Sequence, residues 1–134
     1  MPVAQWDESL ATEHYAVDRQ HQELIGMINA LYDDIVAGRG KATTQETLKA
    51  LSLYVVHHFA AEEELMTESG YPESAKHKAE HEKLTAKVGR ISADYGSGAL
   101  ILSVSLARFL IEWFFHHIRQ MDQRMISYVR TAGR

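Results

Sequence analysis

A chain of 134 residues, 46% hydrophobic and 24% charged, has the size and composition of one globular domain that can bury a core without covalent staples. Its net charge of −4 leaves no electrostatic footprint for nucleic acid or an anionic membrane, and zero cysteines exclude disulfides, thiolate metal sites and a cysteine nucleophile. No apolar stretch reaches the roughly 18 residues of a membrane span, and "MPVAQWDESL" lacks the basic start and apolar run of a secretory signal, so a cytoplasmic location is expected.

Residues 1–16 read as an N-terminal arm, with Trp6 expected to pack on the body of the domain. Glycine and proline then punctuate the chain at "GRG" (38–40), "SGYP" (69–72) and "YGSG" (95–98), dividing it into segments of helical periodicity. The first, roughly 17–37, carries Val17, His21, Leu24, Ile28, Leu31 and Ile35 on one stripe. The second, roughly 43–68, opens on a Thr43-x-x-Glu46 capping box and carries Leu48, Leu51, Val55, His58, Glu62 and Leu65. The third, roughly 73–95, carries His77, His81, Leu84, Val88, Ile91 and Tyr95. The fourth, roughly 99–130, carries Leu106, Leu110, Trp113 and His117, continuing to Met121, Met125 and Tyr128; Ala132-Gly133-Arg134 is expected to fray. Four such helices with short connections predict an all-α fold, an up-down-up-down antiparallel four-helix bundle forming one domain over 1–134.

Histidine is the compositional outlier, with eight in the chain. His57-His58 and His116-His117 are adjacent pairs, and adjacent helical residues point about 100° apart, so one of each pair faces the core. The periodicity puts His58 and His117 on the seam and leaves His57 and His116 on a flank. His21, Glu62, His77 and His81 also take seam places where leucine or valine is expected. Burying a polar side chain without a partner costs energy, and one metal cluster partners all of them. His77/His81 and His58/Glu62 are i,i+4 pairs that line two ligands along one helix face. His117/Asp122 is i,i+5, about 140° apart on an ideal α-helix, so a wide turn, a π-bulge or a centred metal pair must reconcile them. In an antiparallel bundle His21, His58, His77, His81 and His117 meet at the same end.

Seven candidate ligands without cysteine exceed one tetrahedral zinc. Histidines with bridging carboxylates suit two first-row ions of higher coordination number, most naturally iron. With a bridging oxygen from solvent, two octahedral ions keep one position open, where O2 could bind. The carboxylate-rich di-iron oxidases need Glu-x-x-His motifs, which this chain lacks.

The motifs "VDRQH" (17–21), "HFAAEE" (58–63), "HKAEH" (77–81) and "HIRQMD" (117–122), in this order and covering nearly the whole chain, resemble those of the hemerythrin family, its single-domain bacterial members above all. The resemblance implies a four-helix bundle that binds O2 reversibly at a non-haem di-iron centre with an oxo or hydroxo bridge. It implies that His77, His81 and His117 hold one iron, that His21 and His58 hold the other, with the open site, and that Glu62 and Asp122 bridge the two. It also implies an O2 pocket lined by Leu24, Phe59, Trp113, Phe114 and Ile118, each within four residues of a proposed ligand. The expected role is O2 storage, delivery or buffering, without an enzymatic activity. The alternatives are an O2 or redox sensor acting through a separate protein partner, whose identity the sequence does not give, and a peroxide or nitric oxide detoxifying enzyme. Around the centre, His14 reads as a surface residue, Asp18 as an acceptor for His21 or a helix cap, and Glu63, Glu64 and Glu82 as a solvated face.

Overall fold

The computed structural model describes residues 4–132, and among these it contains helices and no strand. The elements are a 3-10 turn at Glu8–Leu10, then α1 (Tyr15–Ala37), α2 (Lys41–Ser69), α3 (Ser74–Ser97), α4 (Val104–His117), a π turn at Ile118–Asp122 and α5 (Gln123–Ala132). The π turn joins α4 to α5 without a break, so the two form the fourth rod of the bundle. No helix is long and apolar enough to cross a membrane among the described residues. Gly133 and Arg134, expected to fray with Ala132, lie outside them.

Local chemistry sets the helix ends. His14 caps α1, its Nδ1 accepting from the Val17 amide at 3.2 Å. Gly38, at φ 63°, closes α1 in the left-handed conformation that glycine adopts without penalty. The capping box expected at Thr43 does not form. Helix α2 starts earlier, after Gly40 (φ 91°), so Thr43 lies inside the first turn and its carbonyl accepts from the Thr47 hydroxyl. The fourth rod begins at Val104 rather than 99, because Ser103 caps it by accepting from the Leu106 amide at 3.2 Å.

Helix α1 packs on α2 and α4, and α2 packs on α3 and α5. The predicted seams of the first three helices are largely the buried faces, although Asp34 and Met66 are buried where Ile35 and Leu65 were expected. On α4 the buried stripe is shifted: Ala107, Leu110, Ile111 and Phe114 face inward, while Leu106 and Trp113 sit half-buried at its edge. The apolar core falls into two clusters. The larger includes Leu24, Ile28, Leu51, Val55, Phe59, Leu84, Val88 and Phe114. The smaller is Val17, Met66, Tyr71, Met125 and Ile126. The candidate ligands form a polar layer between them.

The arm lies against the bundle. Trp6 packs on the larger cluster, and the Ala4 backbone exchanges two hydrogen bonds with the Asn29 amide at 3.0 and 2.8 Å. Asp18 accepts from the Thr12 amide and hydroxyl and from the Glu13 amide, so it fixes the turn into α1 and does not orient His21.

At the far end of α1, buried Asp34 accepts from Arg39 at 2.9 Å and from Thr47 on α2 at 2.6 Å, stapling the α1–α2 turn. Burial raises its pKa, but the Thr47 hydroxyl and the Arg39 guanidinium outweigh this and hold it below its ordinary 3.8. A depressed folded pKa stabilises the fold above the unfolded value and loses that effect as pH falls through the folded one. Asp34→Asn is therefore expected to cost about 1 kcal/mol at neutral pH, a modest figure because half-exposed Arg39 is screened by solvent. Urea melts should show the deficit shrinking below pH 4; a deficit that grows on acidification would contradict the assignment.

Candidate metal centre

The seven polar seam residues converge. His21, His58, Glu62, His77, His81, His117 and Asp122 are all buried, none more than 2% exposed, and come from all four rods. His21 stands one turn above Val17 on α1. His58 and Glu62 share a face of α2, and His77 and His81 share a face of α3. His117 ends α4, and Asp122 is the last residue of the π turn. That turn resolves the awkward i,i+5 spacing. Its i→i+5 hydrogen bonding widens the coil and absorbs the extra residue, so His117 Nε2 and Asp122 Oδ1 lie 3.1 Å apart.

The two carboxylates organise the imidazoles into two groups. Glu62 Oε2 lies 3.3 Å from His21 Nε2 and 3.2 Å from His58 Nε2. Its other oxygen lies 3.0 Å from His81 Nε2 and 3.7 Å from His77 Nε2. Asp122 divides in the same sense: Oδ2 is 3.0 Å from His21 Nε2, and Oδ1 is 3.0 Å from His77 Nε2. Two sets of atoms able to hold an ion result, one from His77, His81 and His117 with both carboxylates, the other from His21 and His58 with the same carboxylates.

These residues fit a pair of ions. Among the close approaches, His21 to Glu62 and His77 to Asp122 have hydrogen-bond geometry. Nε2 of His58, His81 and His117, Oε1 of Glu62 and Oδ2 of Asp122 are buried without a hydrogen bond. Each unpaired buried polar atom costs about 1–3 kcal/mol, and cations between the atoms would satisfy them together. The electrostatics agree. Burial lowers the pKa of His21 and His77, but hydrogen bonds and charge from Asp122 and Glu62 outweigh it and raise both to about 9. Burial raises Glu62 and Asp122, and the surrounding imidazoles outweigh that and hold both carboxyls below their ordinary values. Protons and metal ions compete for the same Nε2 atoms, as in other histidine sites.

Of the five expected pocket residues, Leu24, Phe59, Phe114 and Ile118 are buried in the larger core cluster. Phe59 stacks on His81 with centroids 3.8 Å apart, and Phe114 meets His21 edge-on at 5.4 Å. Leu24, Phe59 and Phe114 line an apolar cavity of about 20 Å³ that runs on past Ile28, Leu51 and Leu110. Trp113 is half-buried against the same core. It stacks on His117 at 4.9 Å and lines a surface pocket of about 300 Å³ that reaches His77 and His117 as well as Tyr71, Glu73 and His116. His57 and His116 are exposed flank residues. Two contributors were not foreseen. Gln20 Oε1 lies 2.7 Å from His58 Nδ1. Glu63, assigned to a solvated face with Glu64 and Glu82, instead reaches His81 Nδ1 at 3.0 Å, while the other two are exposed. The signal for both was the need of a ligating histidine for an acceptor at its second nitrogen.

A helical bundle with a buried histidine–carboxylate layer able to hold two ions defines a class of metal-binding proteins. Residues 12–129 match the family described as the hemerythrin HHE cation binding domain. The chain is 34% identical over 127 residues to the bacteriohemerythrin of Pseudomonas paraeruginosa, covering 95% of this chain and 82% of that protein. To the bacteriohemerythrin of Methylococcus capsulatus it is 34% identical over 106 residues, covering 79% and 80%. A crystal structure of wild-type hemerythrin superposes with a TM-score of 0.90 at 30% identity, covering 95% of this chain and 98% of the other. The chain belongs to the hemerythrin family of non-haem iron, O2-binding proteins.

Because each carboxylate faces both histidine groups, the two kinds of ligand should fail differently. Titration of the metal-free chain with Co2+, followed by absorbance, is expected to fill two positions. His58→Ala should spare one tight position, whereas Glu62→Ala should weaken both. A Glu62→Ala chain that keeps one position at wild-type affinity would contradict the shared geometry.

Proposed function

We propose that the chain binds O2 reversibly at a di-iron centre, in O2 storage, delivery or buffering. His77, His81 and His117 would hold one iron, His21 and His58 the other, and Glu62 and Asp122 would bridge them. The single observation that carries this reading is the division of each carboxylate's two oxygens between the two histidine groups. When bound, an iron pair would supply the redox-active centre at which O2 binds, held by three histidines on one side and by two on the other.

The remaining work belongs to the side chains. The helices hold the imidazoles with Nε2 facing inward, so the centre is assembled before a ligand arrives and little reorganisation is needed. The neighbouring cavity is lined by Leu24, Phe59, Phe114 and other hydrocarbon or aromatic side chains. None of them donates a proton, and the apolar wall keeps water away. A site that binds O2 without supplying protons favours release over reduction, which supports a carrier rather than an enzyme. Ile118, fully buried one residue beyond His117, continues that wall.

The decisive experiment is metal analysis combined with visible absorption of the reduced protein before and after air. Two irons per chain and a band that appears with O2 and disappears on deoxygenation are expected. Zinc as the native metal, or irreversible bleaching in air, would sink the carrier reading. Leu24→Ala and Ile118→Ala should oxidise several-fold faster in air because each opens the wall to water; unchanged rates in both variants would count against a protective role.

A further inference from the structure

A histidine that offers Nε2 to a metal keeps its proton on Nδ1, so the group facing Nδ1 sets the tautomer and the ring orientation. The histidines of this centre differ there. His58 Nδ1 meets the amide oxygen of Gln20 at 2.7 Å, and His81 Nδ1 meets the carboxylate of Glu63 at 3.0 Å. Nδ1 of His21 and His77 has no hydrogen-bond partner.

His81 is the most tightly framed ring of the set. Phe59 stacks on it at 3.8 Å and only 6° from parallel. Glu62 and Glu63 are consecutive on α2 and so diverge by about 100°. Fully buried Glu62 takes the Nε2 side at 3.0 Å, while Glu63, with 30% of its side chain exposed, takes the Nδ1 side at 3.0 Å. Successive carboxylates therefore flank one imidazole, Glu63 hydrogen-bonded at Nδ1 and Glu62 facing an Nε2 that has no hydrogen bond of its own. Gln20 does the neutral version of this task from α1, next to His21 in sequence but serving His58 across the helix interface.

We propose that Glu63 is a positioning residue for His81, and that its charge, set against the neutral Gln20, makes the two metal positions electrostatically unequal. A carboxylate can only accept, so it holds the proton on Nδ1 and leaves the Nε2 lone pair facing the metal. Its negative charge also makes that imidazole a stronger donor, favouring the higher oxidation state at the three-histidine position. The amide of Gln20 orients His58 without adding charge to the two-histidine position. The inference deepens the di-iron reading and rests on it.

The test uses the full chain with Glu63→Ala, Glu63→Gln, and Glu64→Ala as a control that removes an equal charge from exposed surface beside it. Thermal melts of the metal-free forms establish that each variant folds. Iron release to a ferrous chelator should be about 10-fold or more faster in Glu63→Ala. In the diamagnetic zinc-loaded protein, the slowly exchanging Nδ1 proton of His81 should be lost from the NMR spectrum of Glu63→Ala. Glu63→Gln should recover the proton resonance and most of the iron retention, yet show a higher midpoint potential than wild type because the charge is gone. Glu64→Ala should match wild type in all three measurements. Wild-type iron release and an intact resonance in Glu63→Ala would overturn the positioning role. A potential shift in Glu64→Ala as large as in Glu63→Gln would overturn the charge argument. A wild-type chain that retains no iron would sink the di-iron reading as well, whereas failure of the Glu63 variants in an iron-loaded protein sinks this inference alone.

Discussion

Two carboxylates buried at the centre of a helical bundle constrain everything around them. Glu62 and Asp122 are wholly excluded from solvent, and ionised groups in that position are tolerated only when paired on every side. The pairing is supplied by five Nε2 atoms from all four rods, arranged so that each carboxylate presents one oxygen to each histidine group. An up-down topology is the simplest route to that arrangement, because it brings the start of α1, the end of α2, the start of α3 and the end of α4 to one level. The bundle is therefore more than a container for the site. Its connectivity is what lets seven polar residues, scattered over a hundred positions of sequence, meet in one layer.

The layer divides the core in two, and the halves serve it differently. On one side Val17, Met66, Met125 and Ile126 close the end of the bundle with flexible and branched side chains. On the other side Leu24, Phe59, Phe114 and Ile118 begin the main core, and two of the aromatic rings lie against imidazoles as well as against each other's neighbours. Each of these residues is one turn or less from a polar residue of the layer on its own helix. Helical periodicity alone therefore wraps the polar layer in hydrocarbon, and no separate shell has to be recruited from loops. The apolar cavity belongs to this main core, and two of the rings that line it, Phe59 and Phe114, also lie against imidazoles.

The seams, the bundle and the converging polar set were legible because periodicity and spacing report directly on which face a residue occupies. Asp122 shows how far spacing can go. An i,i+5 partner demanded a wide turn, a π-bulge or a centred metal pair, and the π turn at Ile118–Asp122 is what the helix adopts. What the pattern hid were contacts decided across helices. Glu63 looked like part of a solvated face because its helix position puts it there; only the approach of α3 turns it toward His81. Gln20 is invisible for the same reason, its partner lying 38 positions away on another rod. Trp113 sits on the expected rod but on the outer side of His117, because the buried stripe of α4 is centred on Ala107, Ile111 and Phe114 instead. The Thr43 cap was lost to Gly40, whose positive φ starts the helix before the threonine is reached.

The N-terminal arm packs along the π turn. A π turn is less favourable than the α-helix it interrupts and survives only where its surroundings hold it. Here the arm does so. Arg119, inside the turn, donates to the Ser9 hydroxyl at 3.0 Å, and Gln123, immediately after it, donates to the carbonyls of Ser9 and Ala11 at 2.7 and 3.2 Å. Arg130 further along α5 pairs with Glu13 of the same arm, and Asp18 fixes the arm's entry into α1 three residues before His21. The segment that carries Asp122 is thus held from outside by a stretch that contains none of the polar layer. The arm's surface contacts therefore fall on the same turn that carries Asp122 into the polar layer.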